Sequence, residues 1–402
     1  MTKNNKVLLI GTAIFITVSI QFIIIGFSDN LFLHNDYNSF TRQALAWLEG
    51  RLDLGEDVTW LELAIYNGKY YVSFPPFPSF IMLPFAFFMG LDTPDYLLTV
   101  LVMIVGVIYA SRIAISQNLS KYFVVFLPVL LYSASAVLQI TIDSGVWFFA
   151  QNCSFTFTLM SLYYMINKRK GKTIFFLCCA FGCRPFQIVI LPFILYYFYK
   201  NSPENNFLGK TKKLFFEKFY VFIPTIILSC LYMGLNYLRF GSPFEFGHNY
   251  LPEFTNSENG QFSIYYIFEN FGNLFRLPGI IENFKFDIPI FNGMNIFISF
   301  PILIFFAYLI FKKIFDKIQI DKLIFLILIT TCVHTLFFLC HKTMGGFHFG
   351  NRYIADTLPL VYFGTCLLLK NNIKKDYDKI IFEVLLLLGL VFNSIGIYWI
   401  YI

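Results

Sequence analysis

Apolar stretches of about 17 to 25 residues recur along the whole of this chain, and each is long enough to cross a bilayer core as a helix. The first, residues 7–27, follows Lys3 and Lys6. A secretion signal begins the same way, but this run is too long for one and no small-residue cleavage site follows, so it reads as a retained first span. Further runs lie at 96–112, 122–141, 146–166, 173–184, 186–199, 219–238, 294–311, 323–340, 353–369 and 379–400. The expectation is therefore about eleven crossing segments, each the length a bilayer demands. Backbone immersed in lipid must satisfy its own hydrogen bonds. The expected fold is accordingly all-α, a polytopic transmembrane helical protein forming a single membrane domain over residues 1–402. Composition agrees: 13% of residues are charged, against roughly 25% in a soluble domain.

Two stretches do not fit a simple crossing. Residues 76–90 are short for a span and carry Pro84, which makes them re-entrant or interfacial. Residues 173–199 are too short for two full spans and are interrupted by Arg184-Pro185, so a broken helix or tight hairpin lining a cavity is expected there.

Basic residues gather on cytoplasmic loops. With the N-terminus inside, 21 of the 30 Lys and Arg fall on one side, in the clusters around Lys3, Arg112, Lys168 to Lys172, Lys200 to Lys218, Lys312 to Lys322 and Lys370 to Lys379. Segments 28–75, 239–293 and 341–352 hold eight, and the first two are net acidic. These are the expected outer loops: 28–95, with juxtamembrane helices and the re-entrant segment, and 239–293, the second large loop. The net charge of +6 is scattered in short clusters and forms no basic face, so nucleic acid is not an expected partner. The eight cysteines sit mainly inside apolar runs, where they act as small apolar residues and build no disulfide framework.

The unusual polar residues concentrate in the outer loops. From Asp36 to Gly50, Phe40, Ala44, Trp47 and Leu48 recur at helical spacing, with Asn38, Arg42, Gln43 and Glu49 on other faces. That pattern describes a helix lying on the membrane surface. Asp36 stands at its start, where it is either the N-cap or a carboxylate facing a wet cleft, able to deprotonate an acceptor hydroxyl. Asn67-Gly68 then marks a hairpin turn, followed by Lys69-Tyr70-Tyr71 and Pro75-Pro76. Arg184 interrupts an apolar run, which calls for a partner: a lipid phosphate, or a buried ion pair such as one with Asp143. Arg352 and Asp356 are four apart, spaced for an i,i+4 pair or for phosphate binding by the arginine. His34, His248, His341 and His348 lack the i,i+4 spacing with carboxylates that zinc chemistry uses. No metal site is expected from them; His34 and His248 are either substrate contacts or solvated loop residues.

An Asp soon after the first span, an amphipathic helix, then GKYY and Pro-Pro, resembles the first loop of polytopic GT-C glycosyltransferases. These include the protein O-mannosyltransferase and aminoarabinose transferase relatives, which take sugars from polyprenyl-phosphate donors. Asp143, Gly182-Cys183-Arg184-Pro185 and the segments 236–250 and 345–359 are similar to the same bacterial group. The resemblance implies Asp36 as catalytic base and Asp143 as a second acidic site residue. It also implies substrate contacts from among His34, Lys69, Tyr70, Arg184, Arg239, His248 and Arg352. The family often has Lys or His before the Pro-Pro pair; Phe74 stands here, so Lys69, Arg184, Arg239 or Arg352 must supply that phosphate contact.

The expected function is an inverting glycosyltransferase in the cell membrane, its active site facing outside. Its expected partners are a lipid-linked sugar donor, an envelope glycan, lipid or protein acceptor, and membrane lipids. No cofactor is required by these motifs, and a divalent cation is compatible with them. The rival readings are a lipid-linked saccharide flippase or transporter, a polysaccharide polymerase or ligase, and a non-catalytic partner subunit.

Overall fold

The computed structural model describes residues 1–25, 29–215, 218–281, 285–370 and 376–401. The end of the first expected span (26–27), residues 282–284 of the second long loop, and 371–375 with Lys374 and Lys375 lie outside the described residues. The fold is all-α: among the described residues the only sheets are two two-stranded hairpins. Every expected span contains helix. Among the described residues five helices are long and apolar enough to cross a membrane: Lys3–Ile24, Asp95–Ser116, Phe219–Phe240, Lys322–Leu339 and Tyr377–Ile400. Shorter apolar helices include Phe77–Asp92, Lys121–Tyr132, Pro185–Lys200 and Leu358–Lys370.

The first part of the chain runs α1 (Lys3–Ile25), α2 (Ser39–Leu48), β1 (Leu63–Tyr66), β2 (Lys69–Val72), α3 (Phe77–Met89), α4 (Asp95–Ser116), α5 (Lys121–Tyr132) and α6 (Val137–Ile142). It continues through α7 (Val146–Ile166), α8 (Lys170–Phe181), α9 (Leu191–Lys200), α10 (Phe207–Phe215) and α11 (Ile223–Phe240). The chain divides into two compact units, one of residues 1–27, 103–142 and 263–402, the other of residues 28–102 and 143–262.

In the second unit, α2 buries Phe40 and Ala44 against Val72, Phe74, Met82, Val146, Phe149 and Cys183. Asn67 and Gly68 both take positive φ, 49° and 72°, as the expected type I′ turn requires, and pair β1 with β2 from Leu63↔Val72 to Tyr66↔Lys69. The stretch 76–90 is a helix despite Pro84, and the Phe77 N–H at its start donates to the Gly182 carbonyl at 3.0 Å. Gly182 ends α8; a Cβ there would lie 2.1 Å from the Tyr232 hydroxyl of α11, so only glycine permits this approach. Pro185 then disfavours a helical Arg184, which is extended at φ −142° and ψ 105°. The expected break between 173 and 199 falls at that point.

In the first unit the expected span 122–141 is also broken. α5 stops at Tyr132 and α6 restarts at Val137. Ser135 turns its hydroxyl to the Leu131 carbonyl and receives the Val137 N–H, a local side-chain pattern that competes with continuous helix. The opened backbone is met from elsewhere in the unit: Asn393 donates to the Ala134 carbonyl at 3.2 Å, and the Ala136 N–H donates to the Ser299 carbonyl at 2.8 Å. Lys312 and Asp378 form a buried ion pair joined by the Tyr308 hydroxyl.

Candidate functional site

The site is built around residues 34–38, which leave the helical pattern between α1 and α2. Asp95, at the first turn of α4 and 0% exposed, organises them. One of its oxygens pairs with His34 Nδ1 at 2.5 Å and accepts the Asn35 N–H at 3.2 Å; the other accepts the Thr41 hydroxyl at 3.0 Å. Asn35 extends this order through its side-chain amide, which reaches the Tyr96 hydroxyl at 3.2 Å and Asp143 at 3.5 Å. Asp143 also receives the Gly145 N–H at 2.8 Å, satisfying an orphan donor where α7 begins. The Val146 N–H donates to the Tyr37 carbonyl at 3.0 Å. Segments far apart in sequence thus hold one short loop in place.

Asp36 is different. Its side chain is exposed, and among the described residues nothing hydrogen-bonds or ion-pairs its carboxylate. The N-cap reading for Asp36 is corrected: α2 begins at Ser39, and Asn38 caps it by accepting the Phe40 N–H at 3.1 Å. The cap falls two residues later because Asn38 is buried and already extended, as an N-cap requires. The Asp36 carbonyl is fixed by the Trp60 indole N–H at 3.2 Å. Tyr37, half exposed, lies 6.3 Å from the ring of Trp147, whose indole donates to Glu62 at 2.9 Å. The carboxylate therefore sits on an anchored backbone among aromatic rings, free to take a proton.

The other expected site residues of this unit fall into two groups. Lys69 is exposed and paired with Asp53 at 3.2 Å, and the Tyr70 carbonyl accepts the Leu54 N–H at 2.9 Å; both tie the hairpin to the loop before it. Burial resists ionisation of Asp53, but the Lys69 hydrogen bond and charge outweigh it and hold the carboxyl below its ordinary range. Arg239 is buried on the last turn of α11, where its guanidinium donates to the Val72 carbonyl at 3.2 Å and to Asn236 at 3.0 Å, an arrangement that fastens β2 to α11. His248 lies at the end of β2, against the residues that precede the Pro-Pro pair. Its Nδ1 is 3.3 Å from the Ser73 carbonyl, and its ring is 5.7 Å from Phe74, immediately before Pro75-Pro76. Arg184 is half-buried at the break after α8.

Arg352 belongs to the first unit and to a tight glycine turn. It is buried, donates its guanidinium to the Gly345 carbonyl at 2.6 Å, and donates its backbone N–H to His348 Nδ1 at 3.2 Å. His341 and His348, on the same loop, are buried too, 2% and 1% exposed. With Nδ1 accepting from Arg352 and Nε2 facing the Met344 carbonyl at 3.2 Å, His348 is held neutral. Burial, reinforced by the Arg352 charge, pushes it down to about 3. A depressed histidine contributes stability that is intact above its ordinary value of about 6.5 and is lost as pH falls toward the folded value. Acidification from pH 7 to 5 is therefore expected to cost about 2 kcal/mol. Thermal melts across that range should show the loss in the wild type and a flatter profile in His348→Gln.

Asn35, Asn38, Asp95 and Trp60 were not singled out by sequence patterns. The one available signal was Asp95, a carboxylate opening an apolar run just after Pro94. Among the described residues no group of three or more His, Cys, Asp and Glu side chains is placed to hold a metal ion.

No protein-family model matches the chain, and no curated protein does. Among solved structures it is similar to the crystal structure of ArnT from Cupriavidus metallidurans bound to undecaprenyl phosphate, with a TM-score of 0.53 and 12% sequence identity. The likeness covers 94% of this chain and 62% of that one, so the chain spans less than two thirds of that protein's length. At this identity the shared property is the fold: a polytopic, helical membrane architecture.

Proposed function

We propose that this multi-pass membrane protein is an inverting glycosyltransferase that moves a sugar from a polyprenyl-phosphate donor to an envelope acceptor on the outer face of the cell membrane. The observation that carries the proposal is the Asp36 carboxylate, without a partner among the described residues, on a loop fixed by Asp95, Asn35 and Trp60. A base must be held still while its oxygens stay available, and that is the arrangement found. Support comes also from the similarity of fold to a protein crystallised with undecaprenyl phosphate.

In the proposed reaction Asp36 takes the proton of the acceptor hydroxyl as its oxygen attacks the anomeric carbon from the face opposite the donor phosphate. The bond to the phosphate breaks and polyprenyl phosphate departs as an anion, so the main electrostatic task is to stabilise that charge, and no strong general acid is needed. One carboxylate therefore suffices, in contrast to the carboxylate pair of glycoside hydrolysis. With Lys69 and Arg239 engaged in structural contacts, the carried-over candidates at the Pro75-Pro76 element are His248, whose ring packs on Phe74, and Arg184, two residues after the Gly182 carbonyl that meets Phe77. Asp143 and His34 act on the site through Asn35 and Asp95.

The test is sugar transfer by the purified protein from a panel of polyprenyl-phosphate sugars. Turnover with one donor and inversion at the anomeric carbon is the expected result. Folded protein that turns over none of them would move the assignment to the transporter or partner-subunit readings.

A further inference from the structure

Arg42 is a cation of this unit for which no hydrogen bond or ion pair is found among the described residues. Its neighbours on α2 are committed inward: Thr41 to Asp95, and Gln43 to the Ser79 hydroxyl at 2.7 Å. Arg42 is half-buried between them, its Nε is shut off from solvent, and among the described residues no acceptor meets that Nε. The guanidinium carbon lies 5.9 Å from the centroid of the Trp60 ring. That same indole donates its N–H to the Asp36 carbonyl. Trp60 thus links the unpaired cation to the unpaired carboxylate without joining them in an ion pair.

Three physical consequences follow. A buried donor with no acceptor is unfavourable, and one belonging to a charged group more so; a surface arginine avoids this by reaching water or a carboxylate. Stacking on an aromatic face fixes the guanidinium plane while leaving its in-plane N–H groups available. Those N–H groups form a fork that matches two oxygens of a phosphate. Trp60 thus holds both residues, Asp36 through its backbone carbonyl and Arg42 across the ring, and the two supply a proton acceptor and an oxyanion receptor.

We propose that Arg42, stacked on Trp60, binds a phosphate oxyanion beside Asp36. On the glycosyl-transfer reading, on which the identity of the ligand rests, that phosphate is the one leaving the donor. An anionic phospholipid headgroup offers the same chemistry and is the alternative source. Arg42 stands in the chain before the Phe74 position, so the phosphate contact would come from the surface helix and not from the residue preceding Pro75-Pro76.

The experiment measures ligand-induced thermal stabilisation and affinity for wild type, Arg42→Gln and Arg42→Lys, with a polyprenyl phosphate in detergent and separately in phosphatidylglycerol nanodiscs. Wild type is expected to be stabilised by the polyprenyl phosphate, Arg42→Gln to lose roughly tenfold to a hundredfold in affinity, and Arg42→Lys to fall between, since a lysine keeps the charge but not the fork. The ligand-free melting temperature should stay near that of wild type, which a merely structural arginine would not allow. Equal affinity in wild type and Arg42→Gln, or no response of wild type to either lipid, overturns the proposal. If Arg42→Gln does not fold, unchanged affinity in Arg42→Lys overturns it instead. A response to phosphatidylglycerol alone, lost in Arg42→Gln, keeps the phosphate site and assigns it to the bilayer. Unaltered binding in Arg42→Gln alongside active sugar transfer would remove Arg42 and leave glycosyl transfer standing; Arg42-dependent binding with no transfer would do the reverse.

Discussion

Asp36→Asn is expected to lower kcat for sugar transfer by roughly a thousandfold, within the range of about 10² to 10⁴ that a positioned general base contributes. An amide keeps the size and polarity of the side chain but cannot accept the proton. The substitution should leave folding intact, because the Asp36 carboxylate makes no hydrogen bond or ion pair among the described residues, and the backbone carbonyl held by Trp60 is unchanged. Donor affinity should shift little, since the loss is confined to the chemical step. The measurement is kcat and KM in the transfer assay, with a thermal melt beside it. Full activity in Asp36→Asn together with collapse in Asp143→Asn would reassign the base to Asp143, although that carboxylate already serves Gly145 and Asn35.

Asp95→Ala is expected to act in the opposite order, on stability first and on activity as a consequence. The carboxylate is fully buried and gathers His34, the Asn35 N–H and Thr41. Removing a buried carboxylate leaves each of its buried donors unsatisfied, at about 1 to 3 kcal/mol apiece, and here it also frees the loop that carries Asp36. A lower melting temperature and faster proteolysis within residues 34–41 are expected, with activity falling alongside. Asp95→Ala with wild-type stability would show that the loop is held by its other bonds, those of Tyr37 to Val146 and of Trp60 to Asp36. Together the two variants separate a residue that performs chemistry from one that positions it: the first should lose rate without stability, the second both.

The cations that the first-loop resemblance implies as phosphate contacts are set apart by what each one touches in the structure. Arg239 was one of several cations able to meet a phosphate by its place in the chain. Its burial against the Val72 carbonyl, 167 residues away, gives it a different task. His248 gains significance by the same route, being 174 positions from Phe74 yet packed against its ring. Neither relation has a sequence signal, because neither repeats and both join segments separated by several helices.

What the sequence determined alone is whatever depends on short-range physics. Apolar runs of bilayer length dictate helices, since a lipid-immersed backbone has no other partners. Asn67-Gly68 dictates a type I′ turn because both residues tolerate positive φ, and Pro185 dictates the break at Arg184 through steric exclusion of helical geometry. The tertiary structure decided which charged groups are occupied. Asp36 and Asp95 are the same residue type near the ends of neighbouring apolar runs, yet one is exposed and unpaired while the other is buried under three contacts. Partners for a charge come from wherever the packed helices deliver them, so availability for chemistry is a property of the assembled unit and not of any stretch of its chain.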